Sequence, residues 1–172
     1  PSPRTKSRED RIADIVAAAL EAFSERGFER TRMEDIAARA HISKGTVYLY
    51  FKSKEDVFEG MVRHFILPNV EKAEQLSLLQ DMSAEDQLKL FMKIGYTQIT
   101  KPTTRKITRL IIAEGLRFPH LIEFYYENAI KRAKTAMSFI LEQGRQKGEF
   151  RDLGAPLCPQ VIVCPILFGS LL

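Results

Sequence analysis

Apolar residues recur at helical spacing along most of the chain. The first set follows the i, i+3, i+4, i+7 pattern of one buried helix face, at Ile12, Ile15, Val16, Ala19, Leu20 and Phe23. Ser7 and Asp10 have the spacing of a capping box, and Gly27 stands where a left-handed residue would end the helix. Neither a strand-like alternation of useful length nor an internal repeat is present, so the sequence predicts an all-α fold.

Three further helix starts follow between residues 31 and 56. Thr31, Ser43 and Ser53 each precede a short helical pattern, as N-cap residues do. The residues predicted to be buried on these helices are Met33, Ile36, Ala37 and Ala40, then Val47 and Phe51, then Val57, Phe58, Met61, Val62 and Phe65. A break is expected near Pro68. Such dense capping predicts short helices at steep angles, because each helix ends after a few turns.

The remainder of the chain has longer helical patterns. Helices are predicted over residues 83–102, 104–117 and 119–148. Their predicted inward residues are Leu88, Phe91, Met92, Ile94 and Ile99; Ile107, Leu110, Ile111 and Leu116; and Ile122, Tyr126, Ala129, Ala133, Met137, Ile140 and Leu141. The change from short, densely capped helices to longer ones predicts two domains, an N-terminal one over residues 1–52 and a helical one over residues 53–172.

Composition excludes several classes of protein. Of 172 residues, 45% are hydrophobic and the formal net charge is only +4, which argues against disorder. Cys158 and Cys164 are too few for a disulfide scaffold or a zinc site, so reduced thiols are expected. The chain opens with a polar stretch, and its uncharged tail contains three prolines, so neither a secretory signal nor a membrane span is predicted. We therefore expect a cytoplasmic protein without a membrane partner.

The pattern between residues 32 and 50 predicts a helix-turn-helix motif. Ala37 is the small residue where the two helices touch, His41 is the turn residue, and Val47 is the buried residue of the second helix. Histidine is among the few residues other than glycine that are enriched at positive φ, so the turn can form with little strain. No acid lies between His41 and Lys54, which predicts that the lysines of this segment are electrostatically unopposed.

Residues 8–55 resemble the DNA-binding domain of the tetracycline-repressor (TetR) family of transcriptional regulators. The similar positions include the runs 27–28, 31–37 and 42–55, and His41 departs from the glycine usual in this turn. The resemblance implies a homodimer whose N-terminal three-helix domains bind the half-sites of a near-palindromic operator in double-stranded DNA. It also implies a helical domain that binds a small-molecule effector, which releases the DNA.

The resemblance further assigns DNA contacts to individual positions. Thr31, Tyr50 and Lys54 are expected at phosphates, and Lys44, Gly45, Thr46 and Tyr48 are expected at base edges and the adjacent backbone. Thr31 would serve as a helix cap in either case. Taken alone, the lysines would be solvated surface charges and the tyrosines could belong to the core. The basic N-terminal arm with Arg4, Lys6 and Arg8 has two interpretations, a DNA contact or a solvated tail.

The second domain carries many large side chains at helical spacing. The candidate effector-binding residues are Phe65, Phe91, Tyr96, Ile99, Phe118, Tyr125 and Tyr126. Together they predict an apolar cavity with a few directing hydroxyls, suited to a largely apolar effector. The competing interpretation for each of them is ordinary core packing.

Enzymatic motifs are absent from the sequence. It contains no Gly-rich phosphate loop, G-x-S-x-G or H-E-x-x-H, so no catalytic residue, cofactor or metal site is predicted. The alternative to a DNA-binding regulator is an all-helical small-molecule-binding or protein-interaction module. Repressor and activator both remain open. The apolar segment from about residue 155 ends without a polar cap, so we expect a further helix to follow it. The resemblance to the TetR family implies that these two last helices form the dimer interface.

Overall fold

The computed structural model describes residues 6–151, and within this range the chain is helical. The elements are α1 (Arg8–Arg26), α2 (Met33–Arg39), α3 (Lys44–Tyr48), α4 (Lys54–Phe65), α5 (Leu67–Ser77), α6 (Ala84–Ile99), α7 (Pro102–Glu114), α8 (Pro119–Tyr125), a π-helical turn (Tyr126–Ile130) and α9 (Lys131–Gln146). The described residues include no strand. The predicted all-α fold is confirmed.

Both ends of α1 follow from its flanking residues. Ser7 Oγ accepts from the N–H of Asp10 at 3.0 Å, and Asp10 Oδ2 accepts from the N–H of Ser7 at 3.2 Å, which confirms the capping box. The helix ends before Gly27, as predicted, and the Gly27 N–H donates to the carbonyl of Phe23 at 2.9 Å. Gly27 has φ 81° and ψ 162°, so the predicted left-handed conformation is wrong. The extended ψ carries the chain away from the helix axis.

The chain divides into two compact units, and the first extends past residue 52, the predicted boundary. It consists of the described residues up to 65 together with residues 106–124. Its core forms where α1 packs against α2 and α4. The predicted buried faces of α1 and α4 supply Ile15, Val16, Ala19, Leu20, Phe23, Val57, Phe58, Met61 and Val62. Phe28 lies among them, with its ring centroid 5.1 Å from that of Phe23 and 4.9 Å from that of Phe118.

The second unit consists of residues 66–105 and the described residues from 125 onward. In it, α5, α6 and α9 pack around a core of Ala73, Leu76, Ala84, Phe91, Ala136, Met137, Ile140 and Leu141. Arg132 of α9 donates two hydrogen bonds to Glu74 of α5, at 2.7 and 2.6 Å. Helix α5 is absent from the sequence-based prediction. Pro68 lies in its first turn, where proline begins a helix as readily as it ends the preceding one.

Three residues predicted to face inward are exposed instead. Leu116 is 93% exposed because α7 ends before it, at Glu114. Ile122 and Tyr126 are 42% and 43% exposed, and Leu121 is buried in place of Ile122. The long helix predicted over residues 119–148 contains the π-helical turn, whose i→i+5 bonding shifts the side-chain register. Beyond the turn the predicted face is buried at Met137, Ile140 and Leu141.

Several sequence-based predictions concern residues outside this range. Arg4, Cys158, Cys164 and the apolar tail over residues 153–172 lie outside the described residues. Among the helices of residues 6–151, each is too short or too polar to cross a lipid bilayer.

Candidate nucleic-acid interface

The predicted helix-turn-helix is formed by α2 and α3. His41, in the turn, has φ 56°, the positive value expected from its place in the motif. The Ile42 N–H donates to the carbonyl of Ala37 at 3.0 Å and closes the turn. Ala37 is buried where the helices meet, and Val47, on the inner face of α3, is fully buried. The roles predicted for Ala37, His41 and Val47 are confirmed.

Burying Val47 leaves the opposite face of α3 exposed. Ser43 caps the helix by accepting from the Thr46 N–H at 3.1 Å. Lys44, Gly45 and Tyr48 are exposed, with Tyr48 at 44%, whereas Thr46 and Tyr50 are half-buried. The structure thus places all five predicted contact residues of this segment outside the core. Their contact with DNA stays a prediction.

Gly45 is not required by the packing of the protein. A Cβ built at this position would meet only Ser43 Oγ, at 3.8 Å, which is ordinary van der Waals contact. Gly45 also lacks the positive φ that would explain a glycine by backbone strain. A glycine that the fold does not need is consistent with close approach of another molecule to this face.

Lys44 forms an ion pair with Glu34 of α2, so the prediction of an unopposed lysine is wrong here. Lys44 Nζ donates to Glu34 Oε1 and lies 5.8 Å from the centroid of the Tyr48 ring. The hydrogen bond from Lys44 lowers the pKa of Glu34, and the same bond raises the pKa of Lys44. Both groups are therefore charged at neutral pH. The sequence shows Glu34 only as an acid in a first helical turn, which gives no sign of this partner.

Lys54 is held by the loop that precedes α2. Its Nζ donates to the carbonyl oxygens of Phe28 at 2.7 Å and Glu29 at 2.9 Å, and lies 4.7 Å from the centroid of the Phe28 ring. This arrangement joins the start of α4 to the α1–α2 loop. A phosphate contact by Lys54 stays a prediction, and it would share an ammonium group that already has two acceptors.

Thr31 lies inside the first unit. Its side chain is 1% exposed, and Oγ1 donates to the carbonyls of Gly27 at 2.8 Å and Ala22 at 3.2 Å. Its predicted role as the cap of α2 is wrong, because Arg32 is the N-cap residue and its N–H donates to Asp35 Oδ2 at 2.8 Å. The predicted contact of Thr31 with a phosphate stays a prediction. The two hydrogen bonds of its hydroxyl indicate that Thr31 positions the loop between α1 and α2.

The basic arm is partly described. Lys6 Nζ donates to Asp14 Oδ2 at 2.6 Å, so the prediction of an unopposed arm is wrong at this residue. Arg8 is the first residue of α1. A contact of the arm with DNA stays a prediction.

The candidate effector-binding residues fall in both units. Phe65 and Phe118 lie in the first, where Phe118 packs against Phe28; the others, Phe91, Tyr96, Ile99, Tyr125 and Tyr126, lie in the second. Phe91 is buried in the core of the second unit, while Tyr96 is 60% exposed on the same helix. Their binding role stays a prediction.

Two glutamines of α6 are buried, which the sequence did not predict. Gln98 Nε2 donates to Thr104 Oγ1 at 2.9 Å, and its Oε1 accepts from Asn69 Nδ2 at 2.7 Å. Gln87 is fully buried, and its Nε2 donates to the carbonyl of Leu79. Helical periodicity places polar residues on the outer face, so no sequence signal indicated their burial.

Comparisons with known proteins agree with this geometry. Residues 15–61 match the bacterial regulatory proteins of the tetR family, and residues 86–152 match the C-terminal domain of AefR-like transcriptional repressors. The HTH-type transcriptional regulator YfiR of Bacillus subtilis, itself uncharacterised, is 38% identical over 162 residues, which cover 88% of this chain and 75% of YfiR. The fatty acid metabolism regulator protein of Bacillus subtilis is 25% identical over 159 residues, covering 91% of this chain and 80% of that protein.

A solved structure is similar over the same region. A regulator from Mesorhizobium loti, assigned to the TetR family, superposes with a TM-score of 0.64 at 27% identity. The match covers 83% of this chain and 72% of that one.

Proposed function

The chain belongs to the TetR family of bacterial transcriptional regulators, and we propose that it represses transcription as a homodimer on a near-palindromic operator until a small-molecule effector releases it. The family consists of DNA-binding regulators, not enzymes. The observation that carries the proposal is α3, which is anchored by buried Val47 and turns an exposed polar face away from the core. We further propose a cytoplasmic location, where operator DNA is accessible.

The exposed face of α3 suits a major groove. The helix is short, its N-terminal residues are exposed, and recognition helices contact base edges with residues of that end. Tyr48 brings a hydroxyl and a flat apolar edge, and Gly45 permits close approach. A two-fold homodimer would present two such helices to half-sites about one helical turn apart, which is the reason to expect a near-palindromic operator.

We propose a largely apolar effector for the second domain. The apolar and aromatic residues of the second unit support this chemistry, since ligand sites combine apolar walls with a few polar groups. The relative named as a regulator of fatty acid metabolism makes fatty acyl compounds reasonable first probes. Palmitoyl-CoA, with free coenzyme A as its polar control, separates an apolar requirement from simple anion binding.

DNA binding is tested on duplexes selected by the protein from a randomised library. Binding of the selected duplex is compared with binding of a scrambled duplex of equal composition, by fluorescence anisotropy at several salt concentrations. We expect Tyr48→Ala to weaken binding of the selected duplex about tenfold and that of the scrambled duplex less, because base-edge contacts carry specificity. Phe139→Ala changes another exposed aromatic residue, but in the second unit, so it is the matched control and should bind as the wild type does.

The same preparation tests the other parts of the proposal. Sedimentation should give a dimer, and palmitoyl-CoA should release the selected duplex whereas coenzyme A should not. Binding without preference for any sequence would contradict the operator and favour a helical module without specific DNA binding. A monomer bound to a single half-site would contradict the homodimer alone.

A further inference from the structure

A carboxylate lies beside the residues predicted to meet DNA. Glu34 lies in the first turn of α2 and pairs with Lys44, the first residue of α3. Each side chain is 53% exposed, so the pair is open to solvent and to an approaching ligand. Lys44 Nζ also lies over the Tyr48 ring, at 5.8 Å from its centroid. The carboxylate, the ammonium and the tyrosine thus form one cluster on the helix-turn-helix.

The ion pair with Glu34 affects the contact of Lys44 with a phosphate differently from its contact with base edges. If Lys44 moves to a phosphate, Glu34 is left without its partner beside a polyanion. If the pair meets base edges, Lys44 can donate to guanine O6 or N7 while Glu34 accepts from the amino group of cytosine, so both groups keep partners. Phosphate binding is independent of sequence and base-edge binding is not. The carboxylate of Glu34 therefore disfavours the binding of Lys44 to a phosphate and is compatible with its binding to base edges.

We propose that Glu34 is a specificity-determining residue that opposes sequence-independent DNA binding by competing with phosphate for Lys44. The proposal rests on the proposed function, since it assigns a role within the DNA-binding surface. It does not require Glu34 to support the fold, because Asp35 and not Glu34 accepts from the N-cap N–H of α2. Glu34 is exposed, so its substitution leaves no buried group without a partner.

The salt dependence of binding distinguishes this role from a general effect of charge. In the wild type Lys44 stays paired with Glu34, so it neutralises no phosphate and releases no cation from the DNA. In Glu34→Gln Lys44 is free to neutralise one phosphate, and the logarithmic salt slope should steepen by about 0.9, the value for one phosphate neutralised. If the difference vanishes near 1 M salt, the Kd for scrambled duplex falls about eightfold at 0.1 M salt.

The chain offers a closely matched control in Glu21→Gln. Glu21 of α1 is 44% exposed and pairs with Lys106 of α7, whose Nζ lies 2.6 Å from both carboxylate oxygens. This substitution also raises the net charge by one and breaks an ion pair of the same kind. Neither Glu21 nor Lys106 belongs to the predicted contact set. Binding by Glu21→Gln should therefore follow that of the wild type within about twofold.

The experiment measures anisotropy of scrambled and selected duplexes with the wild type and both variants, from low to high salt. Glu34→Gln should bind the scrambled duplex more tightly with a steeper slope, and should discriminate less between the two duplexes. Glu34→Ala should act in the same direction, since only loss of the carboxylate matters. Helical circular dichroism and the melting temperature establish that each variant is folded.

Two results would overturn the proposal, and they differ from each other. Wild type that binds DNA, with Glu34→Gln indistinguishable from Glu21→Gln, would remove the role of Glu34 and leave the regulator function intact. Wild type that binds neither duplex at low salt would overturn the proposed function and the role of Glu34 together.

Discussion

Lys54 should stabilise the first unit even in the absence of DNA, and Lys54→Met tests this. The substitution keeps an unbranched apolar side chain and removes the ammonium group. Two carbonyl oxygens of the loop before α2, those of Phe28 and Glu29, then lose their donor, at 2.7 and 2.9 Å. The contact of the ammonium with the Phe28 ring, 4.7 Å from its centroid, is lost as well.

The size of the effect follows from these contacts. Hydrogen bonds to charged groups contribute about 1.5–3 kcal/mol. Because one of the two acceptors lies at the surface, we take the lower end of that range for both bonds together. The cation–π contact adds about 0.5 kcal/mol at such a site. The expected loss is about 2 kcal/mol of unfolding free energy, or about 4–8 °C of Tm for a chain of this length.

Urea and thermal unfolding, followed by circular dichroism without DNA, measure the loss. Lys52→Met is the matched control, since it removes the same charge from an exposed residue two positions away and should change Tm by less than about 1 °C. Equal stability of the two variants would refute the reasoning. Lys54 would then be a surface lysine available to phosphate, as the sequence alone suggested.

Two further substitutions test other contacts. Thr31→Val keeps the shape of a buried side chain but removes the donor to the Ala22 and Gly27 carbonyls, so unfolding free energy should fall by about 1–2 kcal/mol in urea, whereas Thr31→Ser should keep most of it. Glu74→Gln should cost about 1 kcal/mol at pH 7, because it breaks a partly exposed two-bond pair with Arg132. That hydrogen bond lowers the pKa of Glu74, so its stabilisation is present above about pH 4.5 and is lost as pH falls further; the variant should lose less stability than wild type in that acid range. A variant as acid-sensitive as wild type would contradict this assignment.

Several features of the fold could be predicted because they depend on neighbouring residues. Helix α1 is defined by Ser7, Asp10 and Gly27, all within or beside the helix. The turn at His41 follows from a residue type that tolerates positive φ. The predicted helices were wrong at two places where the local pattern was insufficient. Pro68 lies in the first turn of α5 and does not only end α4. The π-helical turn changes which residues of α8 face the core.

The sequence by itself determined the helical class and the position of the helix-turn-helix, and its resemblance to the TetR family indicated the family. The helical class and the motif depend on periodicity and spacing, which act over about four residues and persist in any helical packing. Only the tertiary structure decided which charged groups and hydroxyls have partners within the protein. Lys54 is held by the Phe28 carbonyl 26 positions away, and Phe28 donates its N–H to Glu114 across 86 positions. Lys44 meets Glu34 because the turn at His41 brings α2 and α3 together. Contacts of this kind depend on the path of the chain through space, and residue spacing alone does not specify it.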